Sequence, residues 1–120
     1  MKPAPFELQS EELEDGVRAI TVCGELDMNT APQLERQLDD ALAASGASIM
    51  VDLSSCEFID STGIALIVRA WQRLDRDDGG GRLVLCCINH QVRRLLKITG
   101  VEDSISMHEQ RDAALAELRA

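Results

Sequence analysis

The spacing of apolar residues along the chain switches repeatedly between strand-like and helix-like patterns. Residues 6–8 read as a short edge strand, set off by a turn region over 11–16. Residues 17–23 are rich in β-branched side chains and read as a strand ending at Gly24. Thr30-Ala31-Pro32-Gln33 then opens a helix. Thr30 caps it, Gln33 returns the hydrogen bond, and Pro32 sits in the first turn, where a missing N–H is harmless. Leu34, Leu38, Ala41 and Leu42 follow at i, i+4, i+7 and i+8 as one apolar stripe, and Gly46 stops the helix.

Ile49-Met50-Val51, continued by Asp52-Leu53, has no alternation and predicts a strand covered on both faces. A loop through Cys56 and Phe58 leads to Asp60-Ser61-Thr62-Gly63 and a second helix, with Ile64, Ile67, Val68, Trp71 and Leu74 on its apolar face. Asp77-Asp78-Gly79-Gly80-Gly81 is a loop, and residues 82–88 form the next buried strand. Asn89 caps a short helix carrying Val92, Leu95, Leu96 and Ile98, which ends at Gly100. Residues 105–107 read as a final edge strand, and a helix with Ala113, Ala114, Leu115 and Leu118 closes the chain. Strands alternating with helices of about three turns define an α/β domain. The 120 residues have room for one domain, spanning 1–120 with its core over roughly 6–115. Periodicity leaves the strand order open.

Composition narrows the range of functions. Apolar residues make up 45% of the chain, which fits a globular protein, and aromatics only 2%, so the core is built from Leu, Ile, Val, Ala and Met. Twenty-one acids against 12 bases give a net charge of −9. That argues against a nucleic-acid partner, which needs a basic face to neutralise phosphates, and against docking on an anionic membrane. No apolar run approaches the ~20 residues of a bilayer span. The opening Met1-Lys2-Pro3-Ala4-Pro5 leads into acids and not into an apolar signal segment, so the expected location is cytoplasmic.

Cys23, Cys86 and Cys87 lie inside strand-like runs and Cys56 follows one, with no C-x-x-C spacing. Cys86 and Cys87, adjacent on a strand, are expected to point to opposite faces, a poor arrangement for one metal. All four are expected to be reduced, metal-free and structural. His90 and His108 have no neighbouring nucleophile-and-acid pattern, and the 79–81 glycine run lacks the Lys-Ser/Thr of a phosphate loop. The chain is therefore read as a non-enzyme without a cofactor. Asp60-Ser61-Thr62-Gly63 remains. Hydroxyls at a helix entrance ordinarily serve as caps. An exposed serine there is equally suited to accept a phosphoryl group, because free N–H groups and the helix dipole favour added negative charge.

Gly24-Glu25-Leu26-Asp27, Thr30-Ala31, Asp60-Ser61-Thr62-Gly63, Val92-Arg93-Arg94-Leu95-Leu96 and Thr99-Gly100 together resemble the landmark motifs of the STAS-domain anti-sigma factor antagonists. The resemblance covers residues 6–115. It implies a mixed sheet of four to five strands flanked by about four helices, and a regulatory binding protein. In that family the unphosphorylated antagonist binds an anti-sigma factor that is also a serine-protein kinase and so releases a sigma factor. The kinase then phosphorylates the antagonist, and a metal-dependent phosphatase of the PP2C type resets it. Carried onto this chain, Ser61 is the phosphorylation site and Asp60 orients it. Asp27, Asn29, Thr30, Thr62 and Gly63 join Asp60 as partner-binding candidates, on a monomer or weak dimer. The chain departs from the family pattern at Met28-Asn29, at Ile64 in place of Leu, and at Asn89-His90 in place of Ser-Pro. Two alternatives stand beside this reading. One is a STAS regulator in a stressosome-like, response-regulator or lipid-transport complex. The other is a thiol-based redox or metal protein using Cys56, Cys86 and Cys87.

Overall fold

A computed structural model of the chain describes residues 5–44, 46–76 and 79–120. The sequence readings on Met1 to Ala4 and on Asp77-Asp78 lie outside them. Five strands, β1 (Glu7–Glu12), β2 (Val17–Leu26), β3 (Ser48–Ile59), β4 (Arg82–Cys86) and β5 (Met107–His108), form one sheet in sequential order. The helices are α1 (Ala31–Leu42), α2 (Ser61–Arg76), α3 (His90–Ile98) and α4 (Arg111–Leu118), with 3-10 turns at Glu14–Gly16 and Val101–Asp103. β1 and β2 are antiparallel, and the other neighbours are parallel. Each parallel pair is joined through a helix, as parallel pairing requires. The sheet is therefore mixed, as the family resemblance implied.

Both sheet faces are covered, which explains the unbroken apolar run of β3. Ile49, Val51 and Leu53 face Leu34 and Leu38 of α1, Leu66, Ile67 and Leu74 of α2, and Val92 and Leu96 of α3. Met50, Val84 and Cys86 face the other way, under Ala114 of α4. One charged side chain is buried in the sheet, Asp52, at 5% exposure.

Several boundaries differ from the sequence reading. β1 runs on through Glu12, into the predicted turn, because the antiparallel ladder pairs Glu12 with Arg18. β2 does not end at Gly24. The register shifts beside that residue, and its φ of 89° lets the strand bulge and continue to Leu26. The loop expected through Cys56 and Phe58 is strand, paired with Gly24 and Glu25 of the bulged β2. On α2 the buried face is Gly63, Leu66, Ile67, Ala70 and Leu74, with Ile64, Val68 and Trp71 only half-buried. Ile98 is exposed instead of joining the α3 stripe. The last strand is displaced to Met107–His108, with Ile105 buried before it.

Candidate functional site

The carboxyl ends of β2 and β3 bring the two motif segments together. β2 and β3 pair as far as Leu26–Ile59, and the next backbone bond runs from the Asp60 N–H to the Leu26 carbonyl at 3.0 Å. Beyond this point β2 turns into the 27–30 loop and β3 into α2. One carboxylate holds both exits. Asp60 Oδ1 accepts from the Thr62 N–H at 2.9 Å and the Gly63 N–H at 3.1 Å, while Oδ2 accepts from the Met28 N–H at 3.2 Å. Asp60 is therefore the cap of α2 and the tie between loop and helix. Neither Ser61 nor Thr62 caps the helix. Both are exposed, and neither hydroxyl has a hydrogen-bond partner among the described residues. The Asp60 carboxylate bonds the N–H groups of the two residues after Ser61, not Ser61 itself.

The 27–30 loop is held from within. Asp27 Oδ1 accepts from the N–H groups of Asn29 at 2.9 Å and Thr30 at 3.1 Å. The Thr30 hydroxyl donates to the Glu25 carbonyl at 2.8 Å and accepts from the Asp27 N–H at 2.9 Å. The capping box expected at Thr30-Gln33 does not form: Gln33 N–H reaches the Thr30 carbonyl, and the Thr30 side chain turns back to the end of β2. The reason is competition. The threonine hydroxyl is engaged by the Glu25 carbonyl of β2, a local side-chain-to-backbone bond that competes with capping.

Gly63 is buried, and a Cβ there would stand 2.7 and 2.8 Å from side-chain atoms of Leu26 and 3.1 Å from Ile59. Its part is to let the first turn of α2 approach the sheet, and it offers no side chain to a partner. Thus the segments carrying Asp27, Asn29 and Thr30 and carrying Asp60, Ser61 and Thr62 meet at the Asp60 carboxylate, with Gly63 underneath. Sequence reasoning passed over Met28 and Phe58, large apolar residues at 71% and 44% exposure on the two segments that meet at Asp60. Their signal was an apolar residue inside a polar loop and one out of phase with its strand.

A second polar centre was also missed. Asp52 Oδ1 accepts from the Ser54 N–H at 2.9 Å, and Oδ2 accepts from Arg111 Nε of α4 at 2.9 Å. Burial alone would raise its pKa, but the hydrogen bonds from Ser54 and the Arg111 guanidinium outweigh burial and hold the carboxyl below its ordinary value of 3.8. Cys86 and Cys87 lie beside it, with their thiols and the Asp52 carboxylate all within 4.8 Å of one another. This overturns the expectation that the two thiols face apart. β4 ends at Cys86, and Cys87 has φ 61°, in the left-handed region, so strand alternation no longer applies between them. Cys56, grouped with this pair in the thiol reading, is absent from the cluster; it is fully buried, and burial pushes its thiol up to about 11. His108 Nε2 lies 2.9 Å from Glu117 and His90 is exposed at the start of α3; among the described residues neither is hydrogen-bonded to Ser61. Among the described residues no helix is long and apolar enough to cross a membrane.

Residues 10–114 match the family model described as STAS domain. The chain is 31% identical over 96 residues, 80% of its length and 87% of the relative's, to an anti-sigma-B factor antagonist of Staphylococcus aureus. It is 29% identical over 104 residues, 86% of its length and 87% of the relative's, to an anti-sigma F factor antagonist of Paenibacillus polymyxa. The crystal structure of an anti-sigma factor antagonist from Mycobacterium paratuberculosis superposes with a TM-score of 0.85 at 28% identity, covering 97% of this chain and 96% of that one.

Proposed function

The chain belongs to the STAS domain family, and from that membership we propose that it is an anti-sigma factor antagonist switched by phosphorylation of Ser61. Unphosphorylated, it binds an anti-sigma factor in the cytoplasm through the patch around Asp27, Met28, Asn29, Asp60, Ser61 and Thr62, and so frees a sigma factor. The anti-sigma factor, acting as a serine kinase, phosphorylates Ser61, and a phosphatase of the PP2C type restores it. The protein is the substrate and the binding partner in this cycle, and catalysis belongs to the other two components.

The observation that carries this reading is the Asp60-capped helix start. It presents the Ser61 hydroxyl exposed and without a hydrogen-bond partner among the described residues, directly beside a loop that the same carboxylate holds in place. A phosphoryl group adds about −1.5 to −2 charges there, next to Asp27 and Asp60. The dipole at the N-terminus of α2 favours the added negative charge, so the domain stays folded. The partner does not tolerate it, because a surface built for a neutral serine must desolvate a dianion or meet it with its own acids. A penalty of about 3–4 kcal/mol weakens binding by a few hundredfold, sufficient for a switch. Incubation with the cognate kinase and ATP, followed by phosphopeptide mapping, tests the assignment. The phosphate is expected on Ser61, and its placement mainly on Thr62 would sink it. Ser61→Ala should keep binding permanently. Ser61→Asp should bind more weakly, though less so than the phosphoprotein, with an unchanged circular dichroism spectrum. A Ser61→Asp variant that bound like the parent would remove charge as the basis of the switch.

A further inference from the structure

The Asp52, Cys86 and Cys87 cluster lies on the sheet face under α4, opposite the face packed by α1 and α2. We propose that these three side chains form a binding site for a thiophilic divalent cation of the zinc type. A tetrahedral zinc ion takes thiolate sulfur at about 2.3 Å and carboxylate oxygen at about 2.0–2.2 Å, which places its donors ~3.5–3.8 Å apart. The three donor atoms already lie within 4.8 Å of one another, so modest side-chain rotation closes the site. One ground for expecting these thiols to be metal-free was strand alternation, and the left-handed Cys87 removes it. A left-handed backbone at a non-glycine residue is unfavourable by ~1–2 kcal/mol, and what it achieves here is to turn the Cys87 thiol toward Cys86 and Asp52.

The surroundings suit a cation better than a disulfide. Adjacent Cα atoms are only ~3.8 Å apart, whereas a disulfide spans about 4.4–6.8 Å, so a bond between neighbouring cysteines closes a strained ring. Asp52 is held by hydrogen bonds as a metal-binding carboxylate usually is: Ser54 N–H holds one oxygen and Arg111 the other, and Arg111 also reaches the Thr21 hydroxyl at 3.3 Å. Two thiolates and a carboxylate carry three negative charges; a divalent cation and the guanidinium carry three positive. The two thiol protons pass to solvent on binding. Sulfur donors select zinc-like ions over magnesium or calcium. Asp52 and Cys86 are buried, but Cys87 is half-exposed and lines an open cleft of about 470 Å³ with Ser54, His90, Arg93 and Glu109, where Arg93 is paired with Glu109, so the site is open to solvent on this side.

The test uses the full chain, reduced and stripped with a chelator, and titrated with Zn²⁺ against a chromophoric competitor and with Cd²⁺ for thiolate-to-metal charge-transfer absorption. The expected result is one ion per chain with the charge-transfer band present. Cys87→Ser and Asp52→Asn should each weaken binding at least tenfold, and Cys23→Ser, outside the cluster, should not. Because Asp52→Asn disturbs the contact with Arg111, the half-exposed Cys87→Ser variant carries the decision, with circular dichroism to show that it folds. Parent protein that binds no more tightly than Cys87→Ser would overturn the proposal. So would an equal loss in Cys23→Ser, or air oxidation that consumes Cys86 and Cys87 as a disulfide with no metal taken up beforehand.

Discussion

Asp60→Ala should cost more than an ordinary helix cap, because one carboxylate serves two segments. Losing the bonds to the Thr62 and Gly63 N–H groups removes the α2 cap, for about 1 kcal/mol. Losing the bond to the Met28 N–H adds ~0.5–1.5 kcal/mol, at the lower end because the contact is exposed. The sum is about 1.5–2.5 kcal/mol. With an unfolding entropy of ~2.1 cal/mol/K per residue, the 120-residue chain changes by ~0.25 kcal/mol per degree, so the melting temperature should fall by about 6–10 °C. Asp60→Ser separates the two contributions: its short hydroxyl still caps the helix but does not reach Met28. It should recover about 1 kcal/mol of stability while leaving the 27–30 loop loose. Urea denaturation measures the stabilities, and amide hydrogen exchange at Met28, Asn29 and Thr30 reads the loop. An Asp60→Ala protein within 0.3 kcal/mol of the parent, or an Asp60→Ser protein no better than alanine, would refute the reasoning.

Two further outcomes follow from buried positions. Gly63→Ala should destabilise by up to ~2 kcal/mol in urea: overpacking against the fully buried Leu26, with a Cβ contact of 2.7 Å, costs ~1–3 kcal/mol against the ~1 kcal/mol that alanine adds to helix propensity. Burial, opposed by backbone hydrogen bonds from Phe58 and Leu26, raises the Cys56 thiol from 9.0 to about 11. The unfolded chain therefore releases this proton first, and stability should decline as pH rises between those values, by up to about 3 kcal/mol. Stability measured across that interval should fall less steeply in Cys56→Ala, and an unchanged slope would exclude the buried thiol as the source.

The α/β alternation, the Asn89 cap and the covered character of β3 were legible in the sequence, because they arise from local periodicity and from single residues with one dominant use. The Asn89 side chain does accept from the Val92 N–H at 3.0 Å. The motif residues could be named as well, since they are close in the chain within each segment. What they do for one another was decided only when the carboxyl ends of β2 and β3 met. Asp60 became the cap because the strand pairing directs its carboxylate at three N–H groups on two segments. Thr30 gave up its cap because the end of β2 left the Glu25 carbonyl within reach. Gly63 owes its place to a Leu26 that lies 37 positions earlier in the chain. The Asp52, Cys86 and Cys87 cluster depended on tertiary structure most of all. Alternation along a strand predicts opposed thiols, and a single left-handed residue at the end of β4, with Arg111 arriving from α4, reverses that outcome. Local spacing determines which face a side chain favours; contacts between distant segments determine which hydrogen bonds and charges it meets there.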